Sequence, residues 1–86
     1  MSKDGLREAT IARVVKVLRQ KREKSGLSMN VVAQRSGLSQ AMVSLVERDL
    51  RNPTLDTLLR ISEVLRVDLG RIITNAKRAA RRAKAK

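Results

Sequence analysis

Few side chains in this 86-residue sequence could do chemistry, and their types narrow what that chemistry is. There is no histidine and no cysteine. That removes the commonest general base, the thiolate nucleophile and the usual zinc ligands. The eight acidic residues have ordinary capping or pairing explanations, and no nucleophile–base pair or metal cluster emerges from them. An enzyme is therefore not expected, and neither a metal nor a cofactor is called for. What remains is hydrogen bonding and charge. Gln40, Ser44 and Arg48 recur at four-residue spacing, which stacks an amide, a hydroxyl and a guanidinium on one outward row of a helix. Ala41 and Leu45 form a second, apolar row beside it. Such a surface recognises a partner; it does not turn one over.

The elements that must present this surface lie within residues 26–47, GLSMNVVAQRSGLSQAMVSLVE. Two short helical patterns flank Ser36-Gly37-Leu38-Ser39. The first, about Met29 to Arg35, has Ser28 as N-cap and buries Val32 and Ala33. The second, about Gln40 to Arg48, has Ser39 as N-cap and turns Leu38, Val43 and Val46 inward. Met42 falls between its two faces and reads as a flexible filler at the core edge. Gly37 permits the left-handed backbone that so tight a turn needs, and Ala33 is small enough to let the two helices approach. Helices joined this tightly cross steeply, so the second projects from the body, an arrangement suited to the DNA major groove. At the first helix, Ser28, Met29 and Asn30 present unpaired backbone N–H groups that favour an anion such as a phosphate.

The flanking sequence predicts three more helices. Leu6, Ile11, Val14, Val15 and Leu18 mark helix 1, about Glu8 to Lys24, stopped by Ser25-Gly26. Residues 49–53 form a loop, since Pro53 biases Asn52 away from helix. Thr54 caps helix 4, Leu55 to Leu65, which buries Leu55, Leu58, Ile61 and Leu65. Asp68 caps helix 5, which starts at Leu69 and carries Ile72 and Ile73. No segment shows strand alternation. The expected architecture is all-α: a compact five-helix domain over residues 1–75, followed by a basic tail at 76–86. Six positive charges between Lys77 and Lys86 repel one another, so the tail is expected to be frayed and only partly helical.

The formal net charge is +12. Residues 1–76 carry fourteen positive and eight negative side chains, so the body is basic even without the tail. A polyanion is the leading partner. Aromatic residues are absent, which argues against base stacking on single strands. No run approaches the roughly 20 apolar residues of a membrane span, and the first residues lack an apolar signal run. A membrane partner is not expected, and the expected location is cytoplasmic.

The ordered set Arg22, GLS at 26–28, Val32-Ala33, GLS at 37–39, Val46-Glu47, RNP at 51–53, LDTLL at 55–59 and VLRVDL at 64–69 resembles the phage-repressor-like (Cro/CI, or XRE) helix-turn-helix domain. The likeness covers about residues 14–73. In size and plan the chain is similar to the small controller proteins of restriction–modification systems and to small phage or plasmid repressors. The resemblance implies a sequence-specific regulator of transcription that binds double-stranded DNA, commonly as a homodimer on a palindromic operator. It implies that Ser39, Gln40, Ala41, Ser44 and Leu45 face the groove. Gln40 is the principal reader among them, because its amide matches adenine N6 and N7. Ala41 and Leu45 suit thymine methyls; the other reading of Leu45 is that it packs on the loop at 49–52. Phosphate contacts fall to Ser28, Met29, Asn30, Arg35, Arg48, Arg51 and Asn52, although relatives usually carry Gln where Met29 stands. Arg22 and Glu47 are implied to form a partly buried ion pair. Relatives usually have Gly where Asp49 and Arg66 stand. Leu69, Ile72, Ile73 and Ala76 on helix 5, together with the exposed side of helix 1, are the expected dimer interface; the other reading is that Leu69 and one isoleucine close the core and leave the second isoleucine for the partner. The basic tail could contact DNA backbone or a protein partner. Two other functions fit the residues: a DNA-binding antitoxin, and a non-specific architectural nucleic-acid-binding protein.

Overall fold

A computed structural model describes residues 3–84. Local signals in the chain place its helices: α1 Lys3–Lys24, α2 Met29–Ser36, α3 Gln40–Glu47, α4 Leu55–Leu65 and α5 Leu69–Lys84. No strand occurs among the described residues. Four of the helices start in the same way. Ser28, Ser39, Thr54 and Asp68 each accept a hydrogen bond from the backbone N–H three residues on, at 3.0–3.1 Å, and so satisfy a donor the helix itself cannot. Four helices also stop in the same way. Gly26, Gly37, Asp49 and Arg66 adopt positive φ. The next residue's N–H then returns to a carbonyl five positions back: Leu27 to Arg22, Leu38 to Ala33, Leu50 to Leu45 and Val67 to Ser62. This is the Schellman arrangement, built twice on glycine and twice on a residue with a side chain.

The core is aliphatic and central. Leu18 of α1, Val32 of α2, and Val43 and Val46 of α3 are sealed from solvent. Val14, Val15, Ile61, Leu65, Leu69 and Ile72 complete it. α2 packs against α3 and α4, while α1 crosses behind them and packs most extensively on α5. The two helices of the turn motif are thus backed by one core, and α3 is held by residues of α1 as well as by its neighbour.

The structure corrects several expectations. α1 begins at Lys3, five residues before Glu8, and carries Gly5 within its first turns; no proline stands in between, and Thr10 Oγ donates to the Leu6 carbonyl at 2.8 Å. The expected frayed tail is helix without interruption from Leu69 to Lys84, so the boundary drawn at residue 75 falls inside α5. Lys77, Arg78, Arg81 and Arg82 are exposed while Ala76 and Ala80 are buried, so burial and helix propensity outweigh charge repulsion. Lys86 lies outside the described residues. Leu55, expected in the core, is 63% exposed. At about 100° per residue it sits roughly 120° around α4 from Ile61, off the buried stripe. Leu69, Ile72 and Ala76, expected at a dimer interface, are buried within the chain itself. Of that set only Ile73 keeps part of its surface, in a small apolar cleft with Ile11, Pro53 and Leu58.

Candidate nucleic-acid interface

The turn between α2 and α3 is built from the residues that the sequence marks. Ala33 is 3% exposed beneath the crossing, and its carbonyl accepts from Leu38 N–H at 3.0 Å and from the Gly37 N–H. Gly37 has φ +77°, and a Cβ there would lie 3.2 Å from Arg60 Nη1. The left-handed conformation favours glycine, and a side chain there would also press on the end of Arg60.

Arg60 explains that lack of space. Its Nη1 donates to the Ser36 carbonyl at 3.0 Å, while its Nε donates to Asp56 Oδ2 at 2.8 Å. Ser36 ends α2, so its carbonyl has no partner within its own helix. Arg60 supplies one from α4 and ties α4 to the turn. Sequence reasoning missed this contact. The only signal available was the four-residue spacing of Asp56 and Arg60, which suggests a pair along one helix but not its reach to residue 36.

The second brace joins α1 to α3. Arg22 Nε donates to Glu47 Oε2 at 2.6 Å, Nη2 donates to Glu47 Oε1 at 3.0 Å, and Nη1 donates to the Leu27 carbonyl at 2.9 Å. The two side chains are 13% and 8% exposed. This fork is bidentate, and its third arm caps the loop before α2. The hydrogen bond to Glu47 holds the Arg22 guanidinium above its ordinary pKa, against a smaller opposing effect of burial, with Glu47 and Glu23 charges adding to the rise. Arginine is already protonated at every working pH, so the pair stays charged.

With α3 held at both ends, its outer face is sparse. Ser39, Gln40 and Ala41 are exposed at its N-terminal end; Ser44 and Leu45 are half-buried one turn on. The Ser39 oxygen accepts from Met42 N–H, which leaves its O–H free to donate outward. Leu45 is neither wholly outside nor in the core, and its carbonyl receives Leu50 N–H at 3.0 Å. Met42 is half-buried against the core.

The residues expected on phosphates separate into distinct settings. Ser28 and Asn30 are exposed at the start of α2, and the Ser28 oxygen accepts from Val31 N–H at 3.1 Å. Met29 packs its side chain on the core, so only its backbone N–H faces an anion. Arg35, Arg48 and Arg51 are exposed, and their side chains make no ion pair among the described residues. Asn52 lines a shallow cleft with Glu8 and Asp49, and these two carboxylates oppose a phosphate there. Among the described residues, no group of three or more potential metal ligands comes together, and no helix is long and apolar enough to cross a membrane.

Comparison with known proteins agrees with this geometry. Residues 18–72 match the helix-turn-helix family. Over 50 residues, 58% of the chain, the sequence is 46% identical to uncharacterized HTH-type transcriptional regulators from two strains of Mycobacterium tuberculosis. It is 43% identical over 53 residues, 62% of the chain, to an uncharacterized HTH-type transcriptional regulator of Sinorhizobium fredii, covering 69% of that protein. The match spans 36% of the length of the mycobacterial relatives. No solved structure matches the chain significantly. A match over more than half of the chain, on a five-helix fold with this turn, makes it a member of the helix-turn-helix family of the phage-repressor-like (XRE) type.

Proposed function

We propose that this protein regulates transcription by binding double-stranded DNA in a sequence-specific way, with α3 in the major groove. The observation that carries this reading is the exposed N-terminal end of α3, with Ser39, Gln40 and Ala41 outermost on a helix braced by Arg22–Glu47 and by the turn at Gly37. Gln40 reads adenine through a bidentate amide contact. Ala41, with the exposed part of Leu45, packs on thymine methyls, and Ser44 bonds a base edge or a phosphate. Ser28, Asn30 and the Met29 N–H hold one phosphate at the positive end of α2, and Arg35, Arg48 and Arg51 hold others. So few readers leave part of the specificity to DNA shape. A single copy reads only a few base pairs. Two copies about 34–36 Å apart on a palindrome double the contact, and the surface available on α5 for such pairing is Ile73 and its apolar cleft rather than the whole buried face.

Selection of bound sequences from a random duplex pool tests this directly. The expected product is an inverted repeat with A·T pairs in each half-site, spaced by about one helical turn. A pool that stays random after selection, with equal affinity for all duplexes, would sink the proposal in favour of charge-driven architectural binding by this +12 chain.

A further inference from the structure

A second surface with chemistry of its own lies between α1 and α5. The two helices enclose a cleft of about 420 Å³ lined by their residues alone, none of them among the residues assigned above to DNA. Its rim carries Arg13 and Lys21 from α1 and Arg71 from α5; Val17, Ile72 and Ala79 contribute apolar surface. None of the three cations makes an ion pair among the described residues, and no carboxylate lines the cleft. The neighbouring acids are occupied elsewhere: Glu23 faces Arg19 at 3.6 Å, and Asp68 caps α5 by accepting from Arg71 N–H at 3.1 Å. Arg78 and Arg82 are exposed and continue the row from Arg71 at helical spacing.

We propose that this cleft docks an acidic amphipathic helix of a protein partner. Arg13 and Lys21 are eight residues apart on α1, a rise of about 12 Å or two turns. A partner helix with carboxylates two turns apart, and one aliphatic side chain between them, meets both cations while its apolar residue rests on Val17 and Ala79. Arg71 takes a further carboxylate from the α5 side. The apolar lining is what favours a protein over a nucleic acid. A phosphate backbone satisfies the cations but leaves Val17 and Ala79 against solvated sugar and phosphate, whereas an amphipathic helix matches charge and apolar surface together.

Fluorescence anisotropy with the full-length protein tests the proposal. The probe is a labelled helix-forming peptide with glutamates at two-turn spacing around one leucine; the comparators are a scrambled peptide of the same composition and a labelled random-sequence duplex. The patterned peptide is expected to bind roughly tenfold or more tighter than the scramble. Arg13→Glu with Lys21→Glu, and separately Ala79→Glu, are expected to remove that preference while duplex affinity and the thermal melt stay close to wild type. If the charge reversal disturbs the melt, Arg13→Gln with Lys21→Gln serves in its place. Equal binding of the two peptides overturns the proposal, as does peptide affinity that survives the charge changes. Loss of duplex binding with peptide binding intact overturns it too, and makes the cleft a nucleic-acid surface.

Discussion

Gln40 and Glu47 stand seven residues apart on one short helix and do opposite kinds of work. Gln40 is exposed and unbonded, with its amide left for a partner. Replacing it with Ala is expected to cost about 1–3 kcal/mol of discrimination at one adenine position while non-specific duplex affinity holds. Titrations on matched and mismatched duplexes check this, and a parallel fall on both would mean that Gln40 is no reader. Glu47 is nearly buried and tied to Arg22 by two bonds. Glu47→Ala leaves a desolvated guanidinium without its counter-charge, at a cost of about 3–5 kcal/mol. For a domain of this size that lowers the melting temperature by well over 10 °C, at about 4–8 °C per kcal/mol. A melt within a degree or two of wild type would show the pair to be idle. Arg60 acts beside Glu47 as a brace, tying α4 to the end of α2 where the turn begins.

Helix endings follow a single rule applied four times, and one of them is made against preference. Arg66 holds φ +57° where the stop of α4 needs a left-handed residue, a conformation that costs a side-chain-bearing residue roughly 1 kcal/mol or more relative to glycine. Arg66→Gly is expected to raise stability by about 1 kcal/mol and the melting temperature by about 4–8 °C, with DNA binding unchanged because Arg66 lies outside the proposed interface. Calorimetry on the variant checks it; a lowered melt would mean that glycine's freedom in the unfolded chain outweighs the relief. Asp49 occupies the same conformation at the end of α3, but short polar residues tolerate it better. Within α4, periodicity placed the element correctly and its first leucine wrongly. Leu55 and Leu59 are apolar at positions that face away from the stripe of Thr57, Ile61 and Leu65, and the leucine-rich sequence does not reveal which of its residues share the buried side.

The packing of α5 on α1 closes the molecule and turns a run of charge into structure. Ala76 and Ala80 are 5% and 1% exposed, so ending the chain after Asn75 removes buried contacts as well as charge. The expected loss is about 1–2 kcal/mol, from about 0.8 kcal/mol per buried carbon, read as a lower thermal melt; an unchanged melt would mean that residues beyond 75 add nothing to the fold. Local physics made much of this protein legible beforehand. Caps act over three residues, left-handed stops over five, and helical periodicity over a few turns, so Ser28, Ser39, Gly37 and the turn they frame could be found from sequence neighbours alone. The outward row of Gln40 and Ser44 follows from the same spacing. The tertiary structure decided what depends on distant partners. Arg60 reaches Ser36 across 24 residues. Leu69, Ile72 and Ala76 turn inward instead of toward a second copy, and Leu55 turns out. The basic end of the chain is helix because α1 offers its alanines a place to be buried. No local window contains that information, because the side of a helix that is buried is set by the surfaces that fold onto it.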